Sequence, residues 1–327
     1  MKPAALSGIS FVMPVLNEEK YLKAAVESIF SQFDALDNGE FGQIEVILAL
    51  GPSVDKTDAV AAELASRLPV KIVANPTGKT AAGLNLAIEA SHSDVIVRVD
   101  AHSELSPEYA AKAFELLQTT GAANVGGVMR AEGTNAFSNA VAFGYGSRFG
   151  LGGGTFHVGG TAGPSDSVYL GVFRRSVLGE VGGFDEQIIR GQDWELNLRI
   201  REAGHVVWFD PSLVVGYRPR SSWRALAKQF FDTGFWRAAI TRKNFARANL
   251  RYFAPPVMVV GTLGGLVASI ATGSLIGVIP SAFYLGFVAL AAVSAKNLDL
   301  RSRLNLLVVL PTMHFAWGIG FIVGMFG

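Results

Sequence analysis

The sequence predicts an α/β domain, followed by helices at a membrane surface and then by helices that cross the membrane. Two observations support this prediction. Short β-branched runs alternate with amphipathic helical segments between Ile9 and Arg98, an order that gives parallel strands joined by right-handed crossovers. Beyond Tyr252, three apolar stretches without Asp, Glu, Lys or Arg approach the roughly 20 residues that span a bilayer. The predicted domains are 1–220, 221–252 and 253–327.

The composition of the 327-residue chain narrows the classes of function. Lys and Arg number 28 and Asp and Glu 27, and the resulting net charge of +1 argues against a nucleic-acid partner. Without cysteine there is no disulfide framework, zinc–thiolate site or cysteine nucleophile. No secretory leader is apparent after Met1, so we expect the N-terminal region in the cytosol.

Strands and helices alternate through the first hundred residues. The expected strands are Ile9–Val15, Glu45–Leu50, Val70–Ala74 and Val95–Val99, and the expected helices are Lys20–Phe33, Thr57–Arg67 and Thr80–Ala90. Later strands are expected at Val125–Met129, Val168–Phe173 and Val206–Phe209, and later helices at Pro107–Thr119 and from about Gly191 to Gly204. The glycine-rich stretch Ala136–Gly163 predicts a long mobile loop.

A carboxylate and an imidazole follow the predicted strand at Val95–Val99. Asp100 and His102 come at its carboxyl end, the edge where open α/β sheets usually bind ligands. Two such side chains could hold a divalent cation against a diphosphate, because Mg²⁺ takes few protein ligands and completes its shell with phosphate and water. Alternatively, Asp100 begins a turn and caps the next helix.

Five segments occur in an order and spacing that resemble the inverting family 2 glycosyltransferases. They are PVLNEE at 14–19, NPTGKTAAGLNLAI at 75–88, RVDAH at 98–102, GGFDE at 182–186 and GQDWELNLRIREAG at 191–204. The resemblance covers Ile9 to Arg237 and implies a GT-A-type fold with a Rossmann-like mixed sheet. It also implies a nucleotide-diphosphate sugar as donor. VYLGVFRR at 168–175 and the apolar tail look most like the ExoA group of succinoglycan-biosynthesis glucosyltransferases.

The resemblance implies roles for individual residues. Asp193 corresponds to the general base, and Asp100 and His102 correspond to the ends of the metal-binding D-x-D motif, for Mg²⁺ or Mn²⁺. The residues implied to bind the nucleotide sugar are Pro14, Val15, Asn17, Glu18, Lys79, Asn85 and Asp100. The residues implied to contact the acceptor or the diphosphate are Gln192, Trp194, Gln229 and Arg237.

Three positions depart from the family pattern. Gly51 lies where many members have a DDGS-like acidic sequence, and Asp55 could partly replace that contact. Gln192 replaces a common Glu, and His102 replaces the last acid of the D-x-D motif. For Asp193, the alternative role is that of a helix N-cap.

The segment 221–252 mixes aromatic and basic residues, which favours a helix in the membrane interface over one packed on the domain. Three spans are expected, at Phe253–Thr272, Leu275–Ala295 and Leu304–Phe326. Basic residues precede the first span and lie between the second and third. By the positive-inside rule, this charge distribution places the catalytic domain on the cytosolic side of the inner membrane and the C-terminal end outside.

The expected activity is therefore inverting transfer of glucose or a related hexose. The donor is a nucleotide-diphosphate sugar, with UDP favoured, and the acceptor is a polyprenyl-linked saccharide in exopolysaccharide or envelope glycan synthesis. One alternative acceptor is polyprenyl phosphate itself. Another alternative is a non-catalytic assembly subunit whose site has decayed at Gly51, Gln192 and His102.

Overall fold

The computed structural model describes residues 6–36, 41–243, 245 and 249–327. Residues 244 and 246–248 of the predicted interface segment lie outside the described residues. The chain forms two compact units. The first, here the sheet unit, contains the described residues of 1–130 and 159–217, and the second, here the helical unit, contains those of 131–158 and 218–327. The domain bounds expected from the sequence, at 220 and 252, remain predictions.

One mixed sheet of nine strands runs through the described residues, which confirms the predicted fold class. In chain order the strands are β1 (Ile9–Val15), β2 (Ile44–Leu50), β3 (Val70–Ala74), β4 (Val95–Arg98), β5 (Ser103–Leu105), β6 (Asn124–Ala131), β7 (Gly163–Pro164), β8 (Tyr169–Arg174) and β9 (Val207–Tyr217). Their spatial order is β3-β2-β1-β4-β8-β6-β9-β5, and β7 pairs with β9. Strands β1 to β4 are parallel, whereas β8 runs antiparallel to β4 and β6.

Helices cover the sheet and form the helical unit. In chain order they are α1 (Leu22–Phe30), α2 (Phe33–Leu36), α3 (Thr57–Arg67), α4 (Thr80–Glu89), α5 (Tyr109–Thr120), α6 (Ala136–Tyr145), α7 (Thr155–Val158), α8 (Arg175–Val181), α9 (Gln192–Glu202), α10 (Trp223–Lys243), α11 (Ala254–Thr272), α12 (Ile279–Ser294) and α13 (Leu300–Phe326). Short 3₁₀ helices, Leu250–Phe253 and Leu275–Val278, precede α11 and α12. The core of the sheet unit is built by fully buried side chains such as Phe11 and Val97 from strands and Leu22 from α1.

The predicted loop at Ala136–Gly163 is wrong over its first third, where α6 forms. The helix begins with a capping box, in which the Asn135 side chain accepts from the Ser138 N–H at 2.9 Å and Ser138 Oγ accepts from the Asn135 N–H at 3.0 Å. Near its end, Gly144 lets the backbone approach Met313 of α13, since a Cβ there would lie 2.8 Å from the sulfur. One glycine of this glycine-rich stretch thus serves helix packing.

Three helical segments in the described part of the chain are long and apolar enough to cross a membrane, as the sequence predicted. They are Leu250–Thr272, Leu275–Ser294 and Leu300–Phe326. The first two leave most of their apolar side chains exposed within the unit, as Val257 and Phe283 illustrate. The third is more covered, because α6 and α10 pack on it.

Helix α10, from the predicted interface segment, lies against α13 with backbone touching backbone. Gly234 of α10 faces the Trp317 carbonyl, while Gly320 and Gly324 of α13 face the carbonyls of Phe231 and Phe235. A side chain at any of these glycines would collide with main-chain atoms. The contacts advance in the same direction along both helices, so α10 and α13 run parallel.

Candidate active site

The carboxyl ends of β1 and β2 lie side by side because the strands are parallel, and the loops that follow are bonded together. The Asn17 amide oxygen accepts from the Val54 N–H at 2.8 Å, and the Asn17 N–H donates to Ser53 Oγ at 3.1 Å. Asn17 has a φ of 56°, a left-handed conformation that Asn adopts more readily than most residues. Its side chain therefore shapes the loop predicted to bind the nucleotide.

Asp55, the predicted substitute for the missing acidic contact, supports the same pair of loops. Its carboxylate accepts from the Thr57 hydroxyl and from the Glu19 N–H, the latter at 3.3 Å. These hydrogen bonds, that from Thr57 first, hold the pKa of Asp55 below its usual value. The Thr57 hydroxyl also accepts from the Glu18 N–H at 2.7 Å, which fixes the backbone of Glu18.

Glu18 and His102 are joined directly, although 84 residues separate them. His102 Nδ1 lies 2.8 Å from Glu18 Oε1. An acceptor at Nδ1 fixes the proton on that nitrogen and directs Nε2 away from the carboxylate. The predicted nucleotide-binding residue therefore orients the predicted metal ligand.

Arg98, the last residue of β4, contacts both carboxylates of the predicted site. Its Nη2 donates to Asp100 Oδ1 at 2.9 Å, and its Nη1 contacts Asp193 Oδ1. The Arg98 side chain is only 4% exposed, against 20% for Asp100 and 31% for Asp193. Its guanidinium also lies 5.9 Å from the centre of the Phe184 ring. Asp100 and Asp193 are distant in sequence, and the buried guanidinium of Arg98 thus brings them to one place.

Asp193 stands in the first turn of α9, which begins at Gln192 after Gly191. Gly191 occupies the N-cap with a φ of 81°, and no side chain caps the helix. The alternative that Asp193 is an N-cap is therefore wrong. Its carboxylate is held at the edge of the site by Arg98 and remains partly accessible.

A buried amide network fixes α9 on the sheet. Asn124 of β6 donates from Nδ2 to Asn197 Oδ1 at 2.7 Å, and Asn197 donates in turn to Ser167 Oγ at 3.0 Å. Asn124 and Asn197 are almost fully buried. Since buried amides without partners are costly, this chain of hydrogen bonds specifies the position of α9 and with it that of Asp193.

Lys79 and Asn85 meet the GGFDE turn. Asn85 Nδ2 donates to the Phe184 carbonyl at 2.9 Å, and the Phe184 N–H donates to Asn85 Oδ1 at 2.9 Å. Lys79 Nζ lies 3.4 Å from the Glu186 carbonyl. From the other side, Arg199 of α9 donates to the Gly183 carbonyl at 2.7 Å. Asn85 is therefore a clamp on this turn, and its predicted contact with the donor remains a prediction.

Most of the other residues that were singled out from the sequence have little solvent exposure. Pro14 is half-buried in β1, whereas the Val15 side chain is 1% exposed and packs in the core. Gln192 and Trp194 flank Asp193 and are 8% and 9% exposed. Their predicted roles toward acceptor or diphosphate remain predictions.

Gln229 and Arg237 belong to α10, in the helical unit. Gln229 Oε1 accepts from Arg220 Nε at 3.3 Å. The Arg237 guanidinium lies 4.8 Å from the centre of the Tyr252 ring. Their predicted contacts with acceptor or diphosphate are likewise untested by these positions.

The side chains that follow β4 suit a divalent cation that is bound together with a diphosphate. Among the described residues, no three His, Asp or Glu side chains are grouped to hold a metal ion. Asp100 and His102 offer two ligands, and Arg98 engages only Oδ1 of Asp100. Burial disfavours the charge on Asp100, but Arg98 and then His102 outweigh it and lower the pKa of Asp100. Two protein ligands plus phosphate and water suit Mg²⁺ or Mn²⁺.

Sequence reasoning missed Arg98 as a site residue and missed the pairing of Glu18 with His102. One signal for Arg98 was available. A charged residue within the buried run VIVRVD must find partners on folding, since a buried charge without them is costly. The partner Asp193 could not be identified, because 95 positions of chain separate the two residues.

The chain matches a known protein family over a defined range of residues. The model of the family described as Glycosyl transferase family 2 matches residues 10–182, more than half of the chain. That range contains Glu18, Arg98, Asp100 and His102, whereas Asp193 lies beyond it.

Three similar proteins extend over nearly the whole chain. The succinoglycan biosynthesis protein ExoA of Rhizobium meliloti (strain 1021) is 29% identical over 95% of this chain and 92% of its own. A dolichyl N-acetyl-α-D-glucosaminyl phosphate 3-β-D-2,3-diacetamido-2,3-dideoxy-β-D-glucuronosyltransferase of Methanococcus voltae is 26% identical, covering 94% and 92%. The mannosyltransferase PcManGT of Pyrobaculum calidifontis, solved with GDP-Man and Mn²⁺, superposes with a TM-score of 0.60 at 17% identity, covering 97% and 86%.

Proposed function

The chain belongs to glycosyl transferase family 2, and from this premise we propose that it transfers a hexose from a nucleotide-diphosphate sugar to a lipid-linked saccharide with inversion at the anomeric carbon. The observation that carries the proposal is the contact of Arg98 with both Asp100 and Asp193. It brings together two carboxylates. One is suited to hold a cation against the donor's diphosphate, and the other is suited to accept the proton of the acceptor's hydroxyl. The favoured donor is a UDP-sugar, with glucose or a related hexose.

Asp193 acts as the general base in this proposal. Arg98 holds the carboxylate in place, and the accessible part of the side chain receives the proton of the acceptor hydroxyl. The hydroxyl oxygen forms the new bond to the anomeric carbon as the bond to the diphosphate breaks, and the diphosphate leaves with the electron pair. One displacement converts an α-linked donor into a β-glycoside, and general-base assistance of this kind contributes about 10²–10⁴-fold.

Asp100 and His102 would hold a divalent cation against the leaving diphosphate. The chemistry that such a cation supplies is neutralisation of the charge that develops on the phosphate oxygens. Glu18 keeps His102 oriented by its contact with Nδ1, as carboxylates commonly do behind metal-binding histidines. Mn²⁺ in the mannosyltransferase of similar fold supports this assignment.

A lipid-linked acceptor is supported by two observations. Three helical segments of the chain are apolar and long enough to enter a bilayer. The relative from Methanococcus voltae is named for a dolichyl phosphate-linked substrate. We infer that the protein lies at the inner membrane, with the sheet unit in the cytosol and the acceptor's lipid in the bilayer.

The test is donor consumption by the purified protein with lipid extract from the native membrane. UDP-glucose, UDP-N-acetylglucosamine and GDP-mannose are supplied separately, and the sugar transferred to lipid is measured. One donor is expected to be consumed with production of nucleoside diphosphate and a β-linked product. If none is cleaved by the wild-type protein, or if the wild type and Asp100→Ala cleave it equally, the proposal is wrong.

The cation is tested on the same reaction. A chelator is expected to abolish transfer, and Mn²⁺ or Mg²⁺ is expected to restore it. Full activity in chelator would contradict the roles given to Asp100 and His102 without touching the role of Asp193.

A further inference from the structure

A cavity of about 500 Å³ lies entirely within the helical unit. That volume falls in the range of roughly 300–1,000 Å³ typical of small-molecule sites. Its walls come from three places in the chain: the glycine-rich segment after α6, helix α10, and helices α11 to α13 with the 3₁₀ turn before them. The lining includes Arg148, Arg237, Arg251, Tyr252, Met258 and Trp317.

Three arginines make the lining of the cavity basic. The guanidinium groups of Arg237 and Arg251 lie 4.8 and 5.3 Å from the centre of the same ring, that of Tyr252. Arg148 lines the cavity as well. No carboxylate is present among the lining residues, all of which belong to the described chain. The ring attracts each cation, but the cations repel each other, so an anion bound close to both would be stabilised.

Apolar side chains also line the cavity. Met258, Phe287, Met313 and Trp317 come from helices that are candidate membrane spans. Methionine side chains adapt to ligands of irregular shape, and aromatic rings add large contact areas. A ligand for this cavity therefore combines an anionic head with a bulky hydrocarbon chain.

His157 gives a second, independent sign of a ligand. It lines the cavity, and its buried Nδ1 has no hydrogen-bond partner among the described residues. Burial, followed by the charge of Arg251, lowers the pKa of His157 to about 3, so the ring is neutral at physiological pH. A neutral imidazole nitrogen can donate to a phosphate oxygen, and a buried polar atom without a partner is costly.

We propose that this cavity binds the phosphate or diphosphate head of the acceptor's polyprenyl lipid together with the first units of its chain. Arg237, Arg251 and Arg148 hold the phosphate oxygens, and the residues of α11 to α13 hold the hydrocarbon. This proposal rests on the proposed function for the identity of the lipid as an acceptor. It assigns to the helical unit a binding step that precedes the chemistry of the sheet unit.

Direct binding tests the proposal without any sugar transfer. The full chain, in phosphatidylcholine nanodiscs, is titrated with undecaprenyl phosphate that carries a photoreactive group, and the labelled peptides are identified by mass spectrometry. Labels are expected on the cavity-lining parts of α11 and α13, near Met258 and Met313. Undecaprenol is expected to bind at least tenfold more weakly, because it lacks the charge.

The arginines are tested with a matched control. Arg251→Gln and Arg237→Gln are each expected to weaken binding of undecaprenyl phosphate about tenfold or more. Arg224→Gln is the control, since Arg224 also rests on an aromatic ring, that of Trp223 at 5.7 Å, but does not line the cavity. The melting temperature shows that each variant is folded, and Arg251→Lys is expected to retain more binding than Arg251→Gln.

Three outcomes would overturn the proposal. The glutamine variants could bind undecaprenyl phosphate as tightly as the wild type does, or phosphatidylglycerol could bind as tightly as undecaprenyl phosphate, which would make this a site for bulk anionic lipid. Inorganic phosphate could also compete for the site as well as undecaprenyl phosphate does. The proposed function fails separately. Hydrolysis of the nucleotide sugar without acceptor reports the sheet unit and is expected to be unchanged in the control variant Arg224→Gln. If the wild-type protein does not hydrolyse the nucleotide sugar, the proposed enzymatic function is wrong, whereas the proposal of lipid binding still stands.

Discussion

Arginine has opposite surroundings in the two units of this protein. In the sheet unit, buried Arg98 lies between Asp100 and Asp193, so its charge is compensated by the protein. In the helical unit, Arg237 and Arg251 share the ring of Tyr252 in a cavity lined by no carboxylate, as far as the described residues extend. The first arrangement places the guanidinium between two carboxylates, whereas the described lining of the second contains none.

This difference separates a positioning role from a binding role. A compensated buried arginine fixes two carboxylates at one place, and removing it leaves their charges uncompensated. Arginines that share one aromatic ring gain by binding an anion, so removing one should affect affinity more than stability. The predictions below use this distinction, from the largest expected effect to the smallest.

The largest effect is expected for Asp193→Asn. The amide cannot accept the proton of the acceptor hydroxyl, and transfer to a saccharide acceptor should fall by about 10²–10⁴-fold. The rate of transfer to lipid under saturating donor measures it. Asp58→Asn, an exposed change on α3, is the control and should behave as the wild type. Near-normal turnover in Asp193→Asn would favour polyprenyl phosphate as the acceptor.

The next effect compares two arginines directly. Arg98→Met leaves Asp100 and Asp193 without their shared cation and should cost on the order of 3 kcal/mol, or about 6–12 °C in melting temperature. Arg251→Met removes a guanidinium of an exposed residue that lies near the Tyr252 ring, and it should change stability by less than about 1 kcal/mol. Thermal unfolding in one detergent measures both. Equal losses would remove the distinction between the two units.

A smaller effect is expected for Glu18→Gln. The amide no longer fixes the proton on His102 Nδ1 by charge, so the imidazole is less well oriented toward a cation. Substitutions behind metal ligands typically cost about 10–100-fold in metal affinity. Activation of nucleotide-sugar hydrolysis by Mn²⁺ should need a correspondingly higher concentration, while saturated activity stays close to wild type. The nearby Glu19→Gln serves as control, and an identical Mn²⁺ curve for Glu18→Gln would contradict the assignment.

The smallest effect concerns the helix that leads into the cavity wall. Asn135→Ala removes one side of the capping box of α6 and should cost about 1 kcal/mol. Its lipid affinity should stay at the wild-type level, in contrast to Arg251→Gln. A loss of affinity as large as that of the arginine variant would mean that binding reports the folding of the helical unit and not its charge.

The sequence predicted the elements that local pattern determines. Strands β1 to β4 and the three apolar segments follow from β-branched runs and from length, and the fold class is confirmed. Helix α6 was missed because Gly144 and Gly146 weaken a helical pattern when its packing partner is unknown. The contact of Arg98 with Asp193 and the cavity around Tyr252 were beyond sequence reasoning, because both combine residues from distant segments.

The parallel packing of α10 on α13 links the membrane positions of the two helices, which the sequence predicts separately. Because Gly320 and Gly324 touch the backbone of Phe231 and Phe235, the two helices advance side by side, and Arg242 of α10 donates to the carbonyl of Gly327 after α13. The leaflet that receives the last turn of α13 therefore also receives Arg242 and Lys243 of α10. A measurement of membrane depth on either helix therefore reports the position of both.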